Sequence, residues 1–600
     1  MPKSKKLRSV NYTSRDFDTI KEDLVEYAKK YYPDTYKDFN QASFGSLMLD
    51  TVSYVGDILS FYLDYQANET FLDTSIEYDN ILRIGRQVGY KLESNQVSSG
   101  VAAFYVLVPS NSDGSGPDYQ YAPILSRGTT LEANNGIPFT LNTDVDFSDL
   151  QRTEVKVARA NIDTGIPTYF AIKSYGEIIS GFVEEEEVEL GNFQKFLKVE
   201  LETSNISEII SVTDSEGNEY YEVPNLSQDM IYKGIRNKST DAGEPLEVIK
   251  PIHAIRRFVF DRDTAGGYLY FGASSNVAVE KDFLADPSLA VLDVQGKNYI
   301  TDTFFEPLNL IQSDKFGLAP SNTELTVRVR TNPGISANVS AGDITTVINP
   351  VFRFKNYSNL DSAKMSTVRN SLNVRNEEGT TGATEYPSED EIRTRVMDTF
   401  SSQNRAVTEQ DYVSLIYRMP SKFGSIKRTK IIRDDDSLRR NLNVYVVSED
   451  SDGNLTKTNS TVKRNLRTWL TGNKMLNDTI DIIDAKVVNF GVSFEAIGNR
   501  EKDFYDILTE AEERVRDLFS KKMDIGEYIF LTDIYAELKK TEGLLDVTKL
   551  KIVRKIGGNY SDTYFDFQSS MTEDNRALKV PKNVVMEIKD LVSDINGKII

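Results

Sequence analysis

The first hydrophobic pattern in the chain has the period of an amphipathic helix. Its apolar residues recur every three or four positions, at Phe17, Ile20, Leu24, Tyr27, Ala28 and Tyr31. Thr13 and Asp16 have the spacing of a capping box, which predicts the start of this helix. Pro33 predicts its end, because proline lacks the backbone N–H that a continuing helix needs.

A second, longer helix is predicted from about Phe44 to Phe71. One row of its apolar side chains steps by four and three residues, as in a coiled coil or bundle: Met48, Val52, Val55, Leu59 and Tyr62. More apolar residues lie beside this row, at Leu49, Ile58, Phe61, Leu63 and Tyr65. A helix that is apolar on more than one face needs several neighbours. We therefore expect the five-residue row, called the seam below, to face a helix bundle that includes a partner.

The same helix carries an acidic stripe. Asp50, Asp57 and Asp64 recur every seven residues and so share one face. The stripe has two interpretations. It is either a solvated face that keeps the helix soluble or a docking edge for basic residues of a partner helix.

From about Val97 the hydrophobic period changes to two, which is typical of strands. Turn signals separate the strand-like segments, for example Asp113-Gly114 and Glu216-Gly217. The pattern predicts a β-rich region over residues 97–351 with more than one module. The acidic run from Glu184 to Glu187 is expected to form an exposed loop or a strand edge.

Two further capping boxes predict that helices return after this region. Ser388 with Glu391 begins a helix whose apolar residues are Ile392, Val396 and Phe400. Thr408 with Asp411 begins another helix, which contains Tyr412, Leu415, Ile416 and Met419 and stops at Pro420. A strand pair over residues 425–435 and 441–450 is expected next.

The C-terminal part has the pattern of a small α+β module. A strand-like segment, residues 481–497, precedes a helix with the apolar face Phe504, Ile507, Leu508, Ala511, Val515 and Leu518. A short helix from Thr532 to Lys540 ends at Gly543, and residues 547–554 again resemble a strand. This order, β-α-α-β, favours helices packed on one sheet.

Composition places the chain among multidomain globular proteins. A chain of 600 residues is too long to fold around one compact core, and 39% of its residues are hydrophobic and 27% are charged. A net charge of −21 argues against nucleic-acid binding and fits either solubility or basic docking partners. No apolar run approaches the roughly 20 residues of a membrane span. The basic amino terminus has no apolar stretch behind it and is not expected to be a signal peptide.

The chemistry available in the sequence does not favour an enzyme. There is no cysteine, and His253 is the only histidine, so thiol catalysis and histidine-rich metal sites are excluded. Neither phosphate-binding glycine pattern occurs, and no nucleophile elbow accompanies His253. Gly453 comes too early for a calcium loop, and residues 434–436 are expected to form a solvated acidic loop. We expect no cofactor and no metal, although a glycosidase-like pair of carboxylates stays open.

Four segments, in this order, resemble the baseplate J-like family of contractile tails, and in particular its T-even-type wedge subunits. They are residues 11–92, 124–141, 389–416 and 515–547. The matching positions of the later segments are Gly128, Thr129, Gly136 and Phe139, then Arg405, Val407, Thr408, Asp411 and Tyr412, then Ile525, Gly526, Glu527, Asp533, Ile534 and Gly543. Three places depart from the pattern: Gly85 replaces the more usual alanine, residues 268–280 differ, and residues 150–315 have no counterpart.

The resemblance implies an elongated, multidomain α+β structural subunit of a phage baseplate wedge, made in the host cytoplasm and located in the virion tail. It implies four regions: residues 1–96 as a helical bundle segment, 97–351 as β-rich with an insertion at about 150–315, 352–480 as α+β with the Arg405–Tyr412 motif, and 481–600 as a self-association module and tail. Within the motif, Thr408 and Asp411 are expected to cap a helix, and Arg405 to pair with Asp411.

The implied partners are other copies of the chain and other baseplate proteins. The chain would dimerise and close into an inner ring around the hub that holds the wedges and dilates on contraction. Its other partners would be a larger helical-bundle wedge protein and a sheath-proximal protein, with no nucleic acid and no membrane insertion. Residues 504–534 are the expected self-association surface, with Phe504, Ile507, Ile525, Gly526, Glu527 and Ile534.

Two alternatives stay open. The first keeps the family but places the chain in a bacterial contractile injection system or an integrated prophage. The second is a β-rich tail-fibre protein that binds or hydrolyses glycans.

Overall fold

The computed structural model describes residues 16–31, 43–93, 96–111, 113–162, 165–236, 247–262, 266–274, 316–355, 360–384, 386–403, 405–434 and 441–600. The chain divides into two compact units. The first unit is Met1–Leu92 with Pro387–Asn404, and the second is Glu93–Tyr386 with Arg405–Ile600. Residues 387–404, which the sequence analysis placed in the region 352–480, therefore cluster with the N-terminal helices.

Ten α-helices lie in the described part of the chain. They are α1 Phe17–Tyr31, α2 Phe44–Asn68, α3 Tyr78–Gln87, α4 Ser362–Asn370, α5 Glu389–Ser402, α6 Glu409–Tyr417, α7 Ser460–Thr471, α8 Phe504–Leu518, α9 Leu531–Leu538 and α10 Phe567–Ser570.

The strands in the region 97–351 are β1 Ser99–Pro109, β2 Ile124–Leu125, β3 Thr130–Ala133, β4 Pro138–Leu141, β5 Val145–Asp146, β6 Thr153–Ala160, β7 Pro167–Ser180, β8 Phe182–Leu190, β9 Lys198–Leu201, β10 Ile206–Asp214, β11 Glu219–Glu222, β12 Met230–Arg236, β13 Glu247–His253, β14 Arg257–Arg262, β15 Gly267–Phe271, β16 Thr323–Thr331 and β17 Ile344–Asn349. The later strands are β18 Phe352–Arg353, β19 Asn373–Asn376, β20 Arg428–Arg433, β21 Asn441–Glu449, β22 Leu455–Thr456, β23 Thr479–Asp484, β24 Lys486–Gly498, β25 Ile529–Phe530, β26 Leu544–Lys555, β27 Ala577–Leu578, β28 Val584–Glu587 and β29 Ile595–Ile599.

In the first unit, α1 packs against α2. Ser43 caps α2, because its hydroxyl accepts the N–H of Ser46 at 3.1 Å. Ser46 and Ser53 are buried and share a face with Gly56. A Cβ atom on Gly56 would lie 3.2 Å from the Ile20 side chain, so glycine permits the close approach of the two helices.

The core of the first unit lies between α3 and α5. It is formed by Ile81, Leu82, Tyr90, Leu92, Ile392 and Val396. A Cβ atom on Gly85 would lie only 2.9 Å from Val396 Cγ2. The glycine that departs from the family's more usual alanine therefore fits this particular helix contact.

The second unit contains two seven-stranded sheets in its β-rich part. The first has the order β17-β3-β4-β7-β1-β19, with β6 paired to β7, and its core includes the fully buried rings of Phe104, Phe139 and Phe147. The second has the order β8-β16-β10-β11-β14-β15-β9, with a core around Phe258 and Phe271.

Gly181 joins β7 of the first sheet to β8 of the second. Its φ is +124°, which side chains rarely adopt, and a Cβ there would lie 2.7 Å from the Thr331 carbonyl oxygen. Glycine at this position therefore allows the chain to change sheets within one residue.

The C-terminal module follows a sheet formed by β20, β21, β22 and β23. It is built on β24, which pairs antiparallel with β26 and parallel with β28 and β29. On one face of this sheet, Phe494 lies between β29 and α8: a Cβ on Gly597 would meet the Phe494 ring and Leu508 at 2.4 and 2.6 Å. The β-α-α-β order is β24, α8, α9 and β26.

The predicted fold class is confirmed: an N-terminal helical segment, a β-rich middle and mixed α/β elements at the C-terminus. The strand pair β20–β21 and the capped helices α5 and α6 are also present as expected. The acidic run Glu184–Glu187 belongs to β8, which is the terminal strand of its sheet. The boundaries of the four regions and the insertion at about 150–315 stay a prediction.

Some details differ from the sequence analysis. Thr13 and Pro33 lie outside the described residues, and Asp16 caps α1 by accepting the N–H of Thr19 at 3.0 Å. Phe400 is exposed, whereas Ile392 and Val396 of the same helix are buried. The segment 481–497 forms two strands, β23 and β24, which are separated at Ala485 and belong to different sheets.

Replacing Phe139 with alanine should destabilise the second unit by about 3–5 kcal/mol, because it opens a cavity in a closed core. The matched control is Phe61→Ala, whose ring is 65% exposed and whose loss should change stability by about 0.5 kcal/mol or less. Urea unfolding of both variants measures the difference. Equal midpoints for the two variants would contradict the assignment of Phe139 to the core.

Candidate functional site

The seam residues of α2 lie on its exposed side. Their exposed fractions are 49% for Met48, 55% for Val52, 49% for Val55, 57% for Leu59 and 62% for Tyr62. Five more large apolar side chains of this 25-residue helix are also exposed, namely Phe44, Leu47, Tyr54, Phe61 and Leu63. Single exposed apolar residues are ordinary, but a continuous set along one helix marks an interaction surface.

The aspartate stripe lies on the opposite, half-buried side of α2. Lys21 of α1 forms an ion pair with Asp50, with 2.6 Å between Nζ and Oδ1. Asp57 and Asp64 follow on the same face as Asp50, towards the side that carries Gly56. At Asp50, the basic partner expected for the stripe comes from the same chain. The role of the stripe as a docking edge for another protein stays a prediction.

Hydrogen bonds fix the C-terminal end of α2. The Tyr65 hydroxyl donates to Glu77 at 2.7 Å, and this bond raises the pKa of Tyr65 to about 12. Glu69 accepts the N–H of Ile76 at 2.8 Å and the amide of Asn80 at 2.9 Å. Burial acts to raise the pKa of Glu69, but these hydrogen bonds outweigh it and the pKa is lowered. The apolar surface therefore ends at an ordered turn into α3.

The motif from Arg405 to Tyr412 forms a helix cap in the second unit. Thr408 accepts the N–H of Asp411, and Asp411 accepts the N–H groups of Val407 at 3.1 Å and Thr408 at 2.8 Å. Within the described chain Arg405 forms no ion pair with Asp411, so backbone donors hold the entry to α6. Val407 is exposed.

Tyr412 anchors the motif to the module behind it. Its ring is buried, and its hydroxyl donates to Asp478 at 2.8 Å. Burial, followed by this hydrogen bond, raises the pKa of Tyr412. The motif is therefore architectural, with no exposed reactive group at its centre.

The predicted self-association residues divide into buried and exposed ones. Ile507, Ile525 and Ile534 are buried in the module, and Glu527 is half-buried, with its pKa raised by burial. Gly526 has φ +71° in the turn before β25. Phe504 is exposed, and its neighbour Tyr505, which the sequence analysis did not single out, is exposed as well. Only such exposed residues can contact another copy directly.

The groups weighed for catalysis are dispersed. The His253 side chain is more than half exposed and lies 3.6 Å from Asp229. In the described residues, no group of three or more histidine, cysteine, aspartate or glutamate side chains has the arrangement of a metal site. No described helix is long and apolar enough to cross a membrane.

Comparison with known proteins bears on the helices that carry the seam. Residues 16–87 match the model of a family described as bacteriophage baseplate protein, N-terminal domain. The match supports a baseplate protein. It starts at the residue that caps α1 and ends at the last residue of α3, so it contains the whole seam. No curated protein matches the chain.

Two solved structures are similar at low identity. One is the cryo-electron microscopy structure of the anti-feeding prophage baseplate, with 10% identity, 97% of this chain and 100% of that chain covered, and a TM-score of 0.25. The other is the TssK-TssF-TssG baseplate subcomplex of the type VI secretion system, with 10% identity, 72% and 96% covered, and a TM-score of 0.25. A TM-score this low does not establish a common overall fold, so we draw no function from either.

The spacing of apolar residues predicted the seam but not the whole apolar surface around it. Phe44, Leu47 and Tyr54 are also exposed. The sequence did contain a signal for this wider surface, namely the row of small and acidic residues on the other side of α2. A helix that contacts its neighbour through serine and glycine leaves its large apolar residues exposed.

Replacing Thr408 with alanine should destabilise the second unit by about 1 kcal/mol, because the N–H of Asp411 loses its cap. Thr408→Ser keeps the hydroxyl and should stay close to the parent. Urea unfolding and hydrogen exchange at the first turn of α6 measure both. If the alanine and serine variants behave alike, the cap does not stabilise this helix.

Proposed function

We propose that this chain is a structural subunit of a contractile phage tail baseplate wedge and has no enzymatic activity. The observation that carries the proposal is the exposed seam of α2, which lies inside the segment that matches a phage baseplate N-terminal domain. An apolar surface of this length on a chain with net charge −21 fits burial in an assembly.

The partner that fits the seam is a helix with a complementary apolar face. Seam residues step by four and three, so a second helix can interdigitate its own side chains along the whole length of α2. Ionised or strongly polar partner groups would lose their hydration against this surface without a compensating bond. We therefore propose that α2 joins helices of another baseplate protein, a larger helical-bundle wedge subunit, to form a bundle.

The remaining parts of the proposal follow from the family resemblance. Copies of the chain dimerise and close into an inner ring around the central hub, in contact with a sheath-proximal protein. The ring holds the wedges and rearranges on sheath contraction. The protein is made in the host cytoplasm and ends in the tail baseplate. A subunit that meets two kinds of neighbour suits a symmetric ring, because each contact type repeats around the axis.

The proposed role is non-enzymatic, and the environment of His253 is consistent with it. A general base needs a defined partner within hydrogen-bond reach, whereas His253 is largely exposed and 3.6 Å from Asp229. Purified protein incubated with cell-wall and surface glycans should release no reducing ends. Release of sugar would favour the glycan hydrolase alternative.

The double variant Val55→Asp with Leu59→Asp should abolish binding to the wedge partner, because two carboxylates would be buried without partners. Light scattering of the purified chain, alone and mixed with the neighbouring wedge proteins, measures the complex. The parent chain should enter a larger complex and the variant should not.

The matched control is Leu150→Asp with Val157→Asp, which places the same charges on exposed apolar positions of the second unit. This control should bind the partner like the parent. If the α2 variant also assembles normally, the seam is not the contact surface. A parent chain that binds none of the wedge proteins would argue against the wedge role itself.

A further inference from the structure

The C-terminal sheet has one face that no element of the described chain covers completely. Its other face packs on α8 through Phe494. On the open face, the pairing register places Lys551 beside Ser493 and Asn596, and Lys549 beside Glu495 and Lys598. Lys549, Lys551 and Lys598 are exposed.

This face is basic in a strongly acidic protein. Glu495 lies among the three lysines, and Lys549 bonds it at 2.8 Å. That bond, together with the charges of Lys549, Lys598 and Lys551, lowers the pKa of Glu495. Among these four residues, the three lysines outweigh the one glutamate by two positive charges, although the chain as a whole carries −21.

One apolar residue continues the row of lysines. Val553 is paired with Gly491 and follows Lys551 on the same side of β26, and it is 41% exposed. The row Val553, Lys551, Lys549 therefore presents one apolar and two basic side chains at intervals of two residues, which are roughly 6.6 Å on a strand. We call this row the basic row.

Strand β8 of the second sheet presents the complementary row. Its inward residues are engaged: Glu186 accepts the Thr203 hydroxyl at 2.7 Å, and Val188 and Leu190 pack on the core. The alternate residues point outwards and are exposed, and they are Val183, Glu185, Glu187 and Glu189. We call them the acidic row.

Within a single copy of the chain, the acidic row is electrostatically unfavourable. Glu189 lies directly opposite Glu324 of β16, and like charges in this position repel each other. Arg328 forms an ion pair with Glu185 at 2.9 Å, and it is the one cation paired with this row in the described chain. Glu187 and Glu189 have no ion pair there, which leaves an excess of negative charge at the terminal strand.

We propose that the basic row of one copy docks against the acidic row of a second copy. The occupant of the open sheet face is therefore strand β8 of another molecule of this chain. The two rows have the same spacing, so Lys551 and Lys549 can meet Glu187 and Glu189, the two carboxylates of the acidic row that form no ion pair in the described chain. Charge complementarity of this kind fixes both the partner and the register.

The contact is heterologous, because it joins two different surfaces. Such a contact repeats from copy to copy, and it closes into a ring when its rotation allows. The proposal rests on the self-association included in the proposed function and names a surface for it. It differs from the surface expected from sequence, since β26 and β8 lie outside residues 504–534.

Two charge-reversal variants of the full chain test the contact. One is Lys549→Glu with Lys551→Glu, and the other is Glu187→Lys with Glu189→Lys. Each should weaken self-association by about 100-fold or more, because like charges then face each other. The matched control, Lys156→Glu with Arg159→Glu on exposed positions of β6, should associate like the parent.

Mixing the two reversal variants gives the decisive result. Each variant keeps one intact row, namely the acidic row in the lysine variant and the basic row in the glutamate variant. The mixture should therefore regain association, because the intact rows pair with each other and so do the two reversed rows, and a chain carrying all four changes should regain self-association through the exchanged charges. Sedimentation velocity at low and high salt measures all samples, and the parent's association should weaken with salt.

Several results would overturn the proposal. They are a parent chain that stays monomeric at low salt, reversal variants that associate like the parent, or a mixture of the two reversal variants that stays monomeric. Circular dichroism checks that each variant is folded, and Lys549→Gln with Lys551→Gln replaces a variant that is not. Binding of the wedge partner through α2 is measured in the same samples. A parent chain that binds the partner but stays monomeric refutes only the docking, and a parent chain that self-associates without binding the partner refutes only the bundle.

Discussion

Buried asparagine side chains hold together the points where the second unit changes from one sheet to another. Asn338 donates to the carbonyl oxygens of Ala383 and Glu449, both at 2.9 Å, and its own carbonyl oxygen accepts the N–H of Ala383. Asn332 donates to Gln96 at 2.6 Å in the same way. A buried backbone group without a hydrogen-bond partner would cost about 1–3 kcal/mol of folding free energy. Each asparagine amide therefore stabilises a connection between sheets, where strand pairing does not supply that partner. The two large sheets and the strands that follow them depend on these bonds.

The first unit shows the opposite use of polar residues. In α2 the small and acidic residues face α1, and the large apolar residues face outwards. The usual arrangement of an amphipathic helix in an isolated protein is the reverse. Within one copy this arrangement forgoes hydrophobic stabilisation, and it is favourable only when another surface covers α2. The helix is therefore adapted to an assembled state, which fits the baseplate family matched by the same residues.

Charged residues also have different roles in the interior and at the surface. In the C-terminal module, the buried carboxylates of Glu587 and Asp594 are each neutralised, by Lys522 at 2.8 Å and Lys555 at 2.9 Å. A buried carboxylate needs such a partner, because the loss of hydration is otherwise uncompensated. On the surface, by contrast, lysines gather on the open sheet face and glutamates on β8, and among them Lys551, Lys598, Glu187 and Glu189 form no ion pair within the described chain. Charges of the first kind stabilise the fold, and those of the second kind are available for contacts between copies.

The sequence by itself determined the elements whose cause is local. The apolar period predicted α2, α5 and α8, and the pairs Ser388–Glu391 and Thr408–Asp411 predicted two helix starts, because a cap involves residues only three positions apart. The seam was also visible, since it depends on spacing within one helix. Which side of α2 is covered, and that Phe400 is exposed beside two buried residues of its helix, were decided by tertiary packing. The two charged rows could not be predicted as a matching pair from the sequence. Their role depends on which strand ends a sheet and which sheet face stays open, and the spacing of residues in a single segment determines neither.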